Sequence, residues 1–137
     1  MSEEEYTGNP EHRIPGMISW TELFSQNPDA SQAFYSQLFG WETDEMEIPN
    51  GTYTMFRCGK TPVAGLVKPT IPGLEDSQWL NYITVAKLEE ALEKCLELGG
   101  SVILEPTPLP QGRFAIIRDT QGTAVGLYEY GEQPEVT

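Results

Sequence analysis

The chain has 137 residues, a formal net charge of −13 and only eight lysine and arginine residues. Nucleic acids and anionic membrane surfaces bind basic faces, so this excess of acidic groups argues against both as partners. Hydrophobic residues make up 39% of the sequence, which is enough for one globular domain or for two very small modules that share a core. His12 is the single histidine, and this count excludes chemistry that needs several.

The sequence predicts neither a membrane-spanning helix nor a secretory signal. It has no run of about 18 apolar residues, so no transmembrane helix is expected. The acidic start lacks the basic and apolar regions of a secretory signal. Two cysteines do not make a disulfide framework. We therefore expect a reduced, cytoplasmic protein, with a flexible acidic arm over residues 1–15 and a tail over residues 132–137.

The segment from Ile18 to Trp41 predicts one strand followed by one amphipathic helix. Asn27 is a good N-cap, Pro28 suits the first helical position, and Gly40 can end the helix in the left-handed conformation. The apolar residues at helical spacing on one face of the helix are Ala30, Ala33, Phe34 and Leu38. Alternation along the strand places three side chains together on one face: Trp20, Glu22 and Phe24.

A second, weaker copy of this unit begins about sixty residues later. Trp79 to Val85 predicts a strand, and Lys87 to Gly100 predicts a helix. Its buried stripe is Leu88, Ala91, Leu92 and Cys95, and Glu90 is expected to pair with Lys94 on the exposed side.

Three more strand-like segments follow each helix. The chain therefore reads as βαβββ, βαβββ, an α+β fold in one domain over residues 16–131. Module one covers residues 16–68, a linker covers 69–77, and module two covers 78–131. Pro106, Pro108 and Pro110 place the sixth strand at a sheet edge or partly in a loop, because proline supplies no N–H to a β-ladder.

Three groups of residues follow one another along the chain. The first group lies on and just after the first helix, the second on the third and fourth strands, and the third on the closing hairpin. They are Asp29-Ala30 with Ala33-Phe34-Tyr35 and Leu38-Phe39-Gly40-Trp41; Tyr53-Thr54-Met55-Phe56 with Pro62-Val63-Ala64-Gly65; and Gly112-Arg113-Phe114-Ala115 with Asp119, Gln121-Gly122 and Gly126-Leu127. In this order, the three groups resemble the vicinal oxygen chelate superfamily, which holds glyoxalase I, bleomycin-resistance proteins and extradiol dioxygenases.

The resemblance implies two modules whose sheets form a curled mixed sheet around a cavity, with the helices on the outside. Metal-dependent members place four ligands on the first and last strands of the two modules. The corresponding positions here hold Trp20, Leu80, Gly126 and the apolar stretch Ala64 to Leu66. We therefore expect no metal and no cofactor.

The expected function is binding of a small hydrophobic or aromatic molecule in that cavity. Trp20 could stack on a planar ligand, and Glu22 could accept a hydrogen bond from it. Burial in an apolar cavity would raise the pKa of Glu22 and make it a candidate catalytic base. The other expected ligand-binding residues are Phe24, Tyr53, Tyr82, Arg118 and Tyr128.

The same residues allow other interpretations. Trp20 could be a core residue, Glu22 could pair with an arginine, and Arg118 could form a surface ion pair. The chain could instead be a metal-dependent lyase or isomerase like lactoylglutathione lyase, or a dioxygenase-related enzyme, with Glu22 as the base. It could also be an interaction module without a ligand. By resemblance, we expect a homodimer.

Overall fold

The computed structural model describes residues 14–49 and 51–131; the predicted arm up to residue 13, the tail and Asn50 lie outside this part of the chain. The described elements follow the order strand, helix, three strands, twice over. They are β1 (Ile18–Phe24), α1 (Pro28–Phe39), β2 (Glu42–Ile48), β3 (Gly51–Cys58), β4 (Thr61–Val67), β5 (Gln78–Thr84), α2 (Leu88–Glu97), β6 (Ser101–Leu109), β7 (Gly112–Arg118) and β8 (Ala124–Tyr130). The predicted α+β class and βαβββ repeat are confirmed.

The described residues form two compact units. Unit 1 is Trp20–Leu80, and unit 2 combines residues 14–19 with residues 81–131. The boundaries of the units differ from those of the modules. Ile18 and Ser19 at the start of β1 belong to unit 2, and Gln78–Leu80 at the start of β5 belong to unit 1.

Unit 1 has the strand order β2-β3-β4-β1, with β4 parallel to β1 and the other pairs antiparallel. Asn27 caps α1 by accepting from the backbone N–H of Ala30 at 3.2 Å, Pro28 occupies the first turn, and Gly40 ends the helix at φ 73°. The core lies on one sheet face and contains Leu23, Phe56, Ala64 and Leu66.

The apolar stripe predicted for α1 is not buried. No residue of α1 is buried, and Phe34 and Leu38 are each 58% exposed. The helix instead packs through Tyr35, whose ring centroid lies 6.0 Å from that of Trp41 and 6.1 Å from that of Phe56. Helical spacing identified the apolar stripe, but an aromatic side chain beside that stripe makes the contact with the core.

Unit 2 has the strand order β5-β8-β7-β6, with β5 parallel to β8. The stripe predicted for α2 does face the core, where Leu88 and Leu92 pack with Ala115 and Leu127. On its exposed side Lys94 pairs with Glu97 at 4.0 Å, so the pairing predicted with Glu90 is replaced by a neighbouring one.

The proline-containing strand β6 lies at the sheet edge, as predicted, and extends as a strand to Leu109. Within the described part of the chain, neither helix has the length and apolar character needed to cross a membrane.

Candidate functional site

The two units place equivalent residues opposite each other in their parallel strand pairs. In unit 1, β1 and β4 place Glu22 opposite Gly65. In unit 2, the equivalent pair β5 and β8 places Tyr82 opposite Gly126. Each parallel pair therefore sets a glycine of the last strand beside a polar or aromatic residue of the first strand.

In unit 1, three side chains converge above Gly65. A Cβ placed on Gly65 would lie 1.9 Å from the Tyr53 hydroxyl oxygen and 3.1 Å from Oε2 of Glu22. The Trp20 indole N–H donates to that same hydroxyl oxygen at 3.2 Å. Only a glycine at position 65 leaves the tyrosine this room. We call Trp20, Glu22, Tyr53 and Gly65 the unit 1 site.

The unit 1 site lies on the sheet face opposite the core, because Trp20 and Glu22 alternate with the buried Leu23 along β1. Its three side chains are half-buried, which suits groups that meet a ligand. The Tyr53 hydroxyl oxygen accepts from the Trp20 indole N–H. By their chemistry, the phenol O–H is a donor and an ionised Glu22 carboxylate is an acceptor. The site thus offers an indole ring, a phenol and a carboxylate together.

The equivalent place in unit 2 is filled by the protein itself. The ring of Tyr82 covers Gly126, with ring atoms 2.3 to 2.9 Å from the position of a Cβ on that glycine. Tyr82 is 6% exposed, and its ring centroid lies 6.0 Å from that of Phe114. Phe114 is the counterpart of Tyr53, since each lies two residues before the residue that pairs with the glycine.

The remaining predicted ligand-binding residues are either buried or in contact with other parts of the protein. Phe24 is 3% exposed and covered by the protein, as is Tyr82, so both would have to move to touch a ligand. Arg118 donates to the carbonyl oxygen of Gly122 at 2.8 Å, within the β7–β8 turn. Tyr128 is half-buried and its ring centroid lies 4.6 Å from that of Tyr130. Of the predicted set, Trp20, Glu22 and Tyr53 are brought together in unit 1.

Arg113 holds α2 to the sheet of unit 2. Its guanidinium donates to Glu89 at 2.6 and 2.8 Å and to Glu129, and Glu129 also accepts from the Leu88 backbone N–H at 3.0 Å. The hydrogen bonds from Arg113 lower the pKa of Glu89 to about 2. They raise the pKa of Arg113, with the bonds to Glu89 contributing most. This cluster is structural, because its charges are already paired with one another.

The residues at the four expected ligand positions do not suit the metal that metal-dependent members of the resembled superfamily bind there. Trp20 offers only an N–H donor and Leu80 offers no polar atom, so neither position can ligate a cation. At Gly65 and Gly126, the space for a ligating side chain is taken by Tyr53 and Tyr82. Among residues 14–49 and 51–131, no group of three or more His, Cys, Asp and Glu could hold a metal ion.

Gly65 and Phe114 are the parts of these arrangements that the sequence did not single out as site residues. Gly65 lies in a stretch of small residues at the centre of β4, and that stretch was a signal for a close approach by another chain segment. Phe114 could have been found by aligning the two modules on their glycines.

The fold and the site define a small α+β protein of two βαβββ modules with a polar and aromatic cluster beside a glycine in the first. The family model of the Glyoxalase/Bleomycin resistance protein/Dioxygenase superfamily matches residues 17–127. The chain belongs to this superfamily.

Two relatives show the range of names in the family. The chain is 36% identical over 120 residues to "Putative glyoxylase CFP32" of Mycobacterium bovis, covering 86% of this chain and 46% of that protein. It is 30% identical over 119 residues to the anthracycline biosynthesis protein DnrV of Streptomyces peucetius, covering 87% and 43%. The chain thus spans less than half the length of these relatives.

Solved structures share the fold at low identity. The hypothetical protein BH1468 from Bacillus halodurans superposes with a TM-score of 0.62 at 16% identity, covering 88% of this chain and 98% of that one. Methylmalonyl-CoA epimerase from Mycobacterium tuberculosis gives 0.58 at 12% identity, covering 85% and 89%. At such identities the likeness shows the fold alone.

Proposed function

We propose that this protein binds a small planar aromatic molecule at the unit 1 site without a metal. The observation that carries the proposal is the convergence of Trp20, Glu22 and Tyr53 at Gly65. An indole ring suits stacking on a planar ligand, and the carboxylate and the phenol suit hydrogen bonds at its rim. The proposal does not use Phe24, Tyr82 or Arg118, whose side chains are engaged elsewhere.

The relatives suggest the first ligand to try. Two of them are named anthracycline biosynthesis proteins. An anthracycline is therefore a reasonable planar aromatic probe, and isothermal titration calorimetry measures its binding without a spectroscopic label.

The test compares two tryptophans of unit 1. Trp20→Leu removes the proposed stacking partner and should weaken binding by about 2- to 12-fold, the equivalent of about 0.5–1.5 kcal/mol for an aromatic pair. Trp79→Leu is the matched control, because Trp79 donates to the Tyr35 hydroxyl and lies outside the unit 1 site. Equal losses of affinity in both variants, or no binding by the unaltered protein to a panel of planar aromatics, would contradict the proposal.

A second candidate is an enzyme of the lyase or isomerase class in which Glu22 is the base. The carboxylate of Glu22 and the phenol of Tyr53 lie beside each other at Gly65, as a base and a proton donor must. Deuterium incorporation at the α-carbon of a 2-oxoaldehyde adduct of a thiol would reveal such a base. Glu22→Gln should then lower the exchange rate by about 100-fold or more. A pure binder shows no exchange, and the same variant changes affinity only.

A further inference from the structure

The unit 1 site offers a ligand more hydrogen-bond acceptors than donors. The indole N–H of Trp20, the one N–H among its side chains, already donates to the Tyr53 hydroxyl oxygen at 3.2 Å. Glu22 adds a carboxylate, which, when ionised, only accepts hydrogen bonds and has lone pairs for about four of them. A single hydrogen bond therefore does not saturate this carboxylate, and a ligand group that reaches Glu22 must be a donor.

The orientation of the Trp20 ring favours a positive charge. The N–H lies in the plane of the indole and at its edge, so the hydrogen bond to Tyr53 turns this edge towards the protein. Contact with a ligand then falls to a face of the ring. That face is the negative side of the ring quadrupole, and tryptophan is the strongest cation–π partner among the aromatic side chains.

The charges of unit 1 also favour a cation. Residues 20–80 include eight acidic and three basic side chains. The guanidinium of Arg57 donates to two carboxylates of β2, which match its charge. Lys60 and Lys68 are exposed and flank the two ends of β4. The four residues that define the unit 1 site include no basic side chain, so its carboxylate attracts cations and repels anions.

We infer that the ligand of the unit 1 site is an aromatic cation, a planar ring that carries a protonated amine. The ammonium group donates to the Glu22 carboxylate beside Gly65, and the adjoining ring lies against the face of the Trp20 indole. The inference rests on the proposed binding at this site and adds the charge of the ligand. Aromatic acids should be rejected, because their carboxylate would meet Glu22 as a like charge.

Three naphthalene probes that differ in one substituent test the charge. Naphthylmethylammonium, naphthylmethanol and naphthoate share the ring and carry a cation, a neutral hydroxyl and an anion at neutral pH. Isothermal titration calorimetry should rank their affinities in that order. A hydrogen bond to a charged group contributes more than one between neutral groups, so the ammonium should bind about 5- to 10-fold more tightly than the alcohol. This ranking is measured on the unaltered protein, so it remains a test even if a substitution alters the fold.

Two substitutions of the same kind separate Glu22 from the acidic field of the whole chain. Glu22→Gln keeps the shape of the side chain and removes its charge, so the preference for the ammonium over the alcohol should fall to about 2-fold or less. Glu45→Gln is the matched control and should keep the preference. Glu45 is exposed and lies opposite the buried Thr54 in register, which places it on the sheet face away from Tyr53.

The outcomes distinguish a wrong charge from a wrong site. An alcohol that binds as tightly as the ammonium, and loses affinity on Trp20→Leu, would overturn the cation and leave aromatic binding in place. Tighter binding of naphthoate than of the ammonium, or an equal loss of preference in Glu22→Gln and Glu45→Gln, would also overturn the cation. If none of the three probes binds, both the cation and the proposed function are contradicted.

Discussion

The packing of Tyr82 on Gly126 makes a sharp prediction about stability. A Cβ at position 126 would lie 2.3 Å from Cδ2, 2.5 Å from Cε2 and 2.9 Å from Cγ of Tyr82. The nearest atoms include the base of the ring, so rotation of its tip does not relieve the clash. The ring is 6% exposed and lies against Phe114, which leaves little room for it to retreat. Gly126→Ala should therefore be destabilising.

The expected cost follows from measured effects of overpacking. Adding a methyl group to a filled core typically costs about 1–3 kcal/mol. For a chain of 137 residues, each kcal/mol lowers Tm by about 3–4 °C. Gly126→Ala should thus lower Tm by about 3–12 °C, measured by scanning calorimetry, and shift the urea midpoint to match.

A double-mutant cycle identifies the cause of this loss. In a Tyr82→Leu background the clashing ring is absent, so Gly126→Ala should cost about 1–3 kcal/mol less than in the unaltered protein. Gly131→Ala is the control, because its Cβ would come no closer than 3.4 Å to the Gln111 carbonyl oxygen. A Gly126→Ala variant as mild as the control, or one that costs the same with leucine at position 82, would show that the Tyr82 ring does not cause the loss.

Three further predictions concern unit 1 and α2. Gly65→Ala brings a Cβ against the hydroxyl tip of the half-buried Tyr53, which can swing aside. The Tm, measured by calorimetry, should therefore fall less than for Gly126→Ala, while the affinity for the proposed ligand, measured by titration, should drop several-fold. A larger fall in Tm for Gly65→Ala than for Gly126→Ala would count against the prediction. Asn27→Ala removes the α1 cap and should cost about 1 kcal/mol in urea unfolding, whereas Asn27→Ser should largely retain stability. Arg113→Gln should lower Tm at pH 6, and the gap should close between pH 4.5 and 2. The folded-state pKa of Glu89 lies below its usual value, at about 2, so the stabilisation is present above pH 4.5 and disappears as Glu89 protonates. Lys94→Gln changes a charge on the same helix and is the control; a gap that stays constant down to pH 2 would show that Glu89 is not responsible.

The ends of α1 could be predicted from the residues next to them in the sequence. The α1 cap at Asn27, the proline after it and the left-handed Gly40 were predicted, because each depends on contacts within a few residues along the chain. The strand alternation that places Trp20 and Glu22 together is local in the same way.

Helical spacing does not tell which surface of the protein covers an apolar stripe. The predicted buried stripe was right for α2, where Leu88 and Leu92 are buried, and wrong for α1, where Phe34 and Leu38 are exposed. Periodicity gives the direction in which a stripe lies on its own helix. It does not tell which face the rest of the protein covers, and at α1 the bulky ring of Tyr35 occupies the contact with the sheet.

The βαβββ repeat, the ends of α1 and the polar face of β1 can be predicted from the sequence, because these features follow from backbone preferences and side-chain alternation over short stretches. Three features depend on the folded chain: Tyr53 reaches Gly65, Tyr82 fills the equivalent space at Gly126, and the α1 stripe stays exposed. Such contacts join residues far apart along the chain, and they depend on strand register and on the volume that one glycine leaves empty.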